Sequence, residues 1–530
     1  MRRLTRLLGL AVMVVLGVTE GGASQAPRLS GRQIVEDAAR ALGGLDRVLA
    51  VKNITLMGYG TYAYMFGSGN ITASPNAPQR FQAANDLRRV YDLEHGRFQL
   101  YERRAFLFNF VGDAARSYVP TDQKLDGDIA YDTAPDGTVR RALRWSQTPW
   151  QVDGVHVRRM LMLSNPVAVV RAALHPATKL ANPRTQGAFK TVDLILEEGD
   201  TMTLATAVST NRPAWVRWSN PHENLGQLAF TTYFEGYVPF KNILLPLGYK
   251  TTIDWRNLDY VHVSVDGYEI DGDIPDLAVP EAVRSAPEPT PPLPVVTATP
   301  LARGIWRLST GWTVFEFADH LTLFDINNKR LSQPAIDVAN TLVPGKVLTQ
   351  VITSHAHFDH VAGLRVAVAN GLAVISRRGN ESVIRDMATR LAPDYPDELS
   401  RNPKPLKFIP VDEHLRLSDT MMTLDVYWSG GNTHMADGLF AYAPSQKVMA
   451  EADMATAARD FQFWPDNYMD VIERYALDVE TLSGVHMAPM KHTDVIALIK
   501  EGVARARQRC AEELAKGSYF AGCPVQTKRY

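Results

Sequence analysis

The stretch IPDLAVPEAVRSAPEPTPPLPVVTATP, residues 274–300, constrains the fold more than any other. Proline fixes φ and lacks an amide donor, so its repetition here forbids a helix and favours an extended, semi-rigid connector. A chain of 530 residues is already too long for one core. Two folding units are therefore expected, 24–275 and 300–530, joined by a Pro-rich linker over 276–299.

The first unit reads as rich in strands. A short helix is expected over Ser30–Ala41. VKNITLMGYGTYAY, YDLEHGRFQLYERR, KTVDLILEE, PAWVRWSN and YVHVSVDGYEI are then rich in β-branched and aromatic residues with period-two alternation. Turn signals such as EEGD and NRPA separate them, which predicts a large curved antiparallel sheet. Its histidines, His95, His156, His175, His222 and His262, are scattered singly and read as surface or packing residues. LGGLDRVLAVKNITLMGYG and YFEGYVPFKNILLPLGYK resemble the periplasmic lipoprotein-carrier (LolA/LppX-like) family. That resemblance implies a half-barrel sheltering a hydrophobic ligand.

Composition narrows the setting. Hydrophobic content of 45% and charged content of 21% suit an ordinary globular protein, and a net charge of −1 gives no electrostatic case for nucleic acid. Arg2, Arg3 and Arg6 precede an apolar run, Leu7–Val18, and a small-residue site at Gly21–Ala23. This is the layout of a secretory signal peptide over 1–23, cleaved after Ala23. The run is shorter than the roughly 20 residues needed to span a bilayer. No cysteine lies nearby to carry a lipid. A periplasmic or secreted protein without a stable membrane anchor is expected. Cys510 and Cys523 are the two cysteines, and in an oxidising compartment they can tie down the tail as a disulfide.

Chemistry concentrates in the second unit. Residues 304–326 read as two or three strands, Gln333–Leu342 as a helix, and KVLTQVIT (346–353) as the next strand. SHAHFDH follows at once, bringing His355, His357, Asp359 and His360. His434 follows TLDVYW across a Gly-rich loop, Asp453 ends QKVMAEAD, and His486 follows TLSGV. Four apolar strands thus each deliver ligand-type side chains at their C-terminal ends, where a rigid sheet holds loops in place. Imidazoles with carboxylates suit Zn²⁺, or Mn²⁺ and Fe, better than Ca²⁺ or Mg²⁺. One ion would take His355, His357 and His434, and a second would take Asp359, His360 and His486. Asp453 would bridge them. Two ions roughly 3.5–4 Å apart lower the pKa of a shared water and supply hydroxide at neutral pH. His492 rivals His486 as last ligand, and His320 and His414 lack such context.

H-x-H-x-D-H, then GGNTHMADG, then a strand-ending Asp, then GVH resembles the metallo-β-lactamase fold superfamily over about residues 300–500. The resemblance implies a four-layer αββα sandwich with the metal site at one edge. It also implies that Asp359 holds the nucleophile or passes a proton. Two departures reshape the rim: Ala452 stands where a glycine is usual, and Met487 follows the last ligand in place of glycine.

The expected architecture is α+β in two domains, with a β-rich half-barrel followed by the sandwich. The expected activity is metal-dependent hydrolysis of an ester, lactone or amide in a small-molecule substrate, apolar or acylated. Phe461, Phe463, Trp464 and Tyr468 either line its pocket or pack onto the sandwich, and Asp437 is expected to cap a helix or turn. The alternatives are a mononuclear iron enzyme oxidising persulfides, and a hydrophobic-ligand carrier with an inactive hydrolase half.

Overall fold

The computed structural model describes residues 29–65, 79–107, 119–143, 153–289, 295–432, 434–455, 465–517, 523 and 527–529. The expected signal peptide lies outside these residues.

In the first half, alternation buries one face of each strand. Along Pro213–His222, Val216, Trp218, Asn220 and His222 are buried while Arg217 stays exposed. Among the described residues, thirteen strands pair antiparallel into one sheet. From Asn53–Ala63, near the middle, the chain steps outward to Val139–Arg141 at one edge. Two helices, Val155–Leu163 and Pro166–Leu174, pack on the sheet before the chain re-enters at the other edge with Lys179–Gln186. It then steps back until Leu258–Ile270 pairs with Asn53–Ala63. Asn165 caps the second helix by accepting from the amides of Val167 and Ala168, with Pro166 in the first turn. The expected N-terminal helix runs Gly31–Leu42. YDLEHGRFQLYERR is a hairpin rather than one strand, since Asp92 ends one strand and Arg97 begins the next.

The Pro-rich connector departs from expectation. Glu281–Arg284 forms one helical turn, because Pro280 stands just ahead of it, where a missing N–H costs no helical hydrogen bond. Leu277, Val279 and Val283 are buried. Tyr131 donates its hydroxyl to the Leu277 carbonyl, and Asp126 accepts from the Val279 amide and from Arg284. This part of the connector is a strap bound along the first half, not a free spacer.

The second half is layered. A seven-stranded sheet runs from Ala298–Ala302 to Lys407–Val411, and a six-stranded sheet from His414–Ser418 to Met490–Lys491. Their inner faces share one core, in which Phe315, Phe324 and Ile352 of the first meet Leu424, Leu439 and Ala450 of the second. Helices Lys329–Ala339, Leu364–Ala369 and Glu381–Thr389 cover the outer face of the first sheet. Asn467–Arg474 and His492–Ala515 cover that of the second. The helix expected over Gln333–Leu342 begins earlier, where Asn328 accepts from the Leu331 amide, and Pro334 sits inside it. Cys510 and Cys523 form a disulfide. Among the described residues no helix is long and apolar enough to cross a membrane.

The halves share a continuous core containing Leu225, Leu228 and Trp255 from one and Phe358, Leu364 and Leu399 from the other. Two turns of the first half carry this contact. Arg390 donates to the carbonyls of Leu225 and Gln227 and to Asp254, while Trp255 Nε1 and Arg256 both donate to Asp386. Gly226 has φ +71°, and a Cβ there would lie 2.9 Å from the Arg365 guanidinium, so the turn needs glycine for both its conformation and its close approach.

Candidate metal centre

Four strands end at one place. Leu348–Ile352 of the seven-stranded sheet leads to His355, His357, Asp359 and His360. Thr423–Trp428, Val448–Glu451 and Thr481–Gly484 of the six-stranded sheet lead to His434, Asp453 and His486. A single helical turn, Phe358–Val361, aligns Asp359 and His360 after His357 has left the strand direction. Asp453 itself has φ +59°, in the left-handed region that Asp adopts more readily than most residues.

The seven side chains form two groups in which one ligand-type atom from each residue lies within 4.8 Å of those of the others: His355, His357, His434 and Asp453, and then Asp359, His360 and His486. His355 Nε2 and His357 Nδ1 are 2.9 Å apart. His360 Nε2 and His486 Nε2 are 3.0 Å apart. Asp453 stands between the groups, with Oδ2 at 2.9 Å from His434 Nε2 and 3.2 Å from His360 Nε2, and Oδ1 at 3.5 Å from His486 Nε2. His486 is 39% exposed while the other rings are buried, which puts the open side of the cluster at His486.

Asp325 decides which nitrogens face inward. Its fully buried carboxylate accepts from His360 Nδ1 at 2.8 Å and from Ser354 Oγ at 2.8 Å. Ser354 Oγ in turn lies 3.1 Å from His355 Nδ1 and can accept its proton. With both Nδ1 atoms protonated outward, His355 and His360 aim Nε2 into the cluster, and each presents a lone pair there once its ring is neutral. Lone pairs facing one another and a carboxylate at about 3 Å call for a cation between them.

The surrounding carboxylates demand positive charge, which a proton on His360 or a bound cation can supply. Burial alone would lower the His360 pKa, but the carboxylates of Asp359, Asp325 and Asp453 outweigh it and raise it well above the ordinary value. Burial lowers His355, with His360 and His357 adding to the effect. Burial pushes the Asp359 carboxyl up to about 7 and Glu451 up to about 8. Asp359 Oδ1 is buried without a hydrogen-bond partner. A concentration of buried negative charge with an orphaned carboxylate oxygen fits divalent cations held by these residues.

All seven residues expected as ligands are therefore gathered here. His492 is not among them: its Nδ1 meets the Tyr468 hydroxyl at 3.0 Å. Tyr468 is fully buried in the core, so it packs rather than lining a pocket. Phe461, Phe463 and Trp464 lie outside the described residues. Asp437 sits in a turn with its carboxylate against Gly379, in the short Arg378–Asn380 turn that leads into helix Glu381–Thr389, and near Arg377. Sequence reasoning missed Asp325 and Ser354, although Asp325 directly follows the strand Leu321–Phe324 and obeys the same strand-end rule. Asp325→Ala is expected to weaken metal binding about 10–100-fold, the usual effect of losing such a supporting partner. Competition against a chelator measures it, and unchanged affinity would contradict this role for Asp325.

No protein-family model matches the sequence, and no curated protein matches it. Among solved structures, the chain is similar to a metallo-beta-lactamase from Pontibacter korlensis, at 14% identity over 39% of this chain and 99% of that one, with a TM-score of 0.31. It is also similar to TMB-1, at 14% identity over 39% of this chain and 98% of that one, with a TM-score of 0.30. The DIM-1 metallo-beta-lactamase gives 14% identity over 41% of this chain and all of the other, with a TM-score of 0.30.

Proposed function

We propose that the protein is an exported, dinuclear metal-dependent hydrolase of metallo-β-lactamase type, acting on an ester, lactone or amide bond. The observation that carries this reading is the pair of ligand groups meeting at Asp453, with inward lone pairs selected by Asp325. His355, His357 and His434 would hold one ion, Asp359, His360 and His486 the other, and Asp453 would reach both. Divalent ions bound there would polarise a substrate carbonyl and lower the pKa of a shared water. Asp359 would hold or pass the proton at Oδ1, which has no other partner. Substrate would enter from the exposed side of His486, with Asp359 beside it. Zn²⁺ suits this nitrogen-rich donor set, with Mn²⁺ or Fe as alternatives. The disulfide between Cys510 and Cys523 is compatible with export to the periplasm or beyond.

The first half offers a second reading. A cavity of about 640 Å³ opens beside helices Val155–Leu163 and Pro166–Leu174, lined by Leu125, Met162, Leu163 and Ala172 with Arg159 and Arg171 among them. This would suit the half-barrel carrier implied by the sequence resemblance, and an apolar or acylated compound would be its ligand.

Elemental analysis of the purified protein by mass spectrometry separates the readings. About two Zn or Mn per chain is the expected result and justifies a panel of lactones, β-lactams and esters. One iron per chain would replace hydrolysis by oxygen chemistry on persulfides. No metal, even after metal is offered, would overturn the hydrolase reading and leave the cavity of the first half as the functional site.

A further inference from the structure

The first half reaches the metal centre at Phe358. The turn following Pro213–His222 enters the second half, where Asn224 is fully buried. Its Nδ2 donates to the carbonyl of Phe358 at 2.9 Å. The same turn is braced from within, since His222 Nδ1 accepts from the amides of Asn224 and Leu225, both at 3.3 Å. Phe358 is fully buried between two rings of the first half: His222, edge-on at 5.5 Å, and Trp255, tilted at 5.6 Å.

Phe358 is not an ordinary core residue. It stands between His357, in one ligand group, and Asp359 and His360, in or beside the other. It is also the first residue of the single helical turn that aims Asp359 and His360. A four-residue helix has too few internal hydrogen bonds to fix its own orientation. Its direction must be set from outside, and the described contacts on Phe358 that do so from the first half are Asn224, His222 and Trp255.

We propose that Asn224 is a positioning residue of the metal centre, through which the first half sets the angle of the Phe358–Val361 turn and hence of Asp359 and His360. This rests on the dinuclear reading above. The two halves then form one binding unit, and the ion held by Asp359 and His360 depends on a side chain more than 130 positions earlier in the chain.

The test uses the full chain and Zn²⁺ titrated against a chromophoric chelator, with the urea unfolding midpoint recorded in parallel. Asn224→Ala removes the donor; Asn224→Leu keeps about the same volume with no donor for the Phe358 carbonyl, and serves if the alanine variant does not fold. Gln227→Ala is the control. Gln227 lies in the same interface and pairs with Asp394 through both its amide atoms, at 2.6 and 2.9 Å, with no bond to the ligand turn. The expected result is Zn²⁺ affinity at one of two sites reduced roughly tenfold or more in the Asn224 variants. Gln227→Ala should lower the midpoint without changing affinity. Two outcomes would overturn the proposal: wild-type affinity at both sites in the Asn224 variants, or an equal loss in Gln227→Ala. An unaltered protein that binds no Zn²⁺ would instead overturn the dinuclear reading on which this one rests.

Discussion

Asp453→Ala is expected to bring metal content from about two ions per chain to less than one and to lower hydrolysis on the order of 10³-fold. The Asp453 carboxylate meets both groups, lying within 3.5 Å of His434, His355, His360 and His486. Burial would raise its carboxyl, but His360 and His434 outweigh this and hold it well below the usual carboxylate range. It is thus a committed anion at the centre of a buried cluster. Its loss removes a ligand from each ion and leaves imidazoles facing one another without a counter-charge. Transition-state stabilisation of several kcal/mol is attributed to bound metal, and about 1.4 kcal/mol corresponds to each tenfold in rate, hence the size expected. The first half should remain folded, because none of its residues touches Asp453 among the bonds described. Metal content measured by mass spectrometry, with circular dichroism on the same sample, checks both statements. Two ions retained by Asp453→Ala would show that Asp453 is not shared between them.

Arg365→Met is expected to destabilise the fold by roughly 3–5 kcal/mol, the range for removing one partner of a buried ion pair. Arg365 is 1% exposed, and its donors are used in full. Nε and Nη2 reach the two oxygens of Asp397, Nη1 reaches the carbonyls of Met387 and Arg390, and Nη2 also reaches Ser400. It ties together the segments 387–400 that meet the first half, and the close approach of Gly226 leaves no space for it to move. Methionine restores the volume but takes from Asp397 its two guanidinium donors and leaves the carbonyls of Met387 and Arg390 without theirs.

The same pair makes stability acid-sensitive. Burial alone would raise the Asp397 carboxyl; Arg365 outweighs it and holds Asp397 well below the usual carboxylate range. A depressed folded-state pKa stabilises fully above the unfolded value, about 3.9, and that stabilisation is lost as pH falls below it. Urea midpoints between about pH 3 and 7 should therefore fall toward acid more steeply in the unaltered protein than in Arg365→Met. Parallel curves would show that the pair contributes nothing to this dependence.

What could be read along the chain was what local physics encodes. Ligand residue types at the ends of apolar strands follow from period-two burial and from loops leaving a sheet, and this pattern marks His355, His357, Asp359, His360, His434, Asp453 and His486, which the fold gathers in two adjoining groups. The antiparallel character of the first half was legible in its alternation, as was the candidate pairing of Cys510 with Cys523. Proline content misled over Glu281–Arg284, because it reports what a residue cannot donate and not what its neighbours can bury. Tertiary structure alone decided the rest. His486 and His492 are six positions apart in similar local text, and only the fold sends one to His360 and the other to Tyr468. The inward direction of the lone pairs depends on Asp325, thirty-five positions from His360, and the setting of the ligand turn on Asn224, 134 positions from Phe358. Hydrogen bonds at such separations leave no periodic trace in the chain, because they are fixed by the packing of complete sheets and not by the conformation of any one segment.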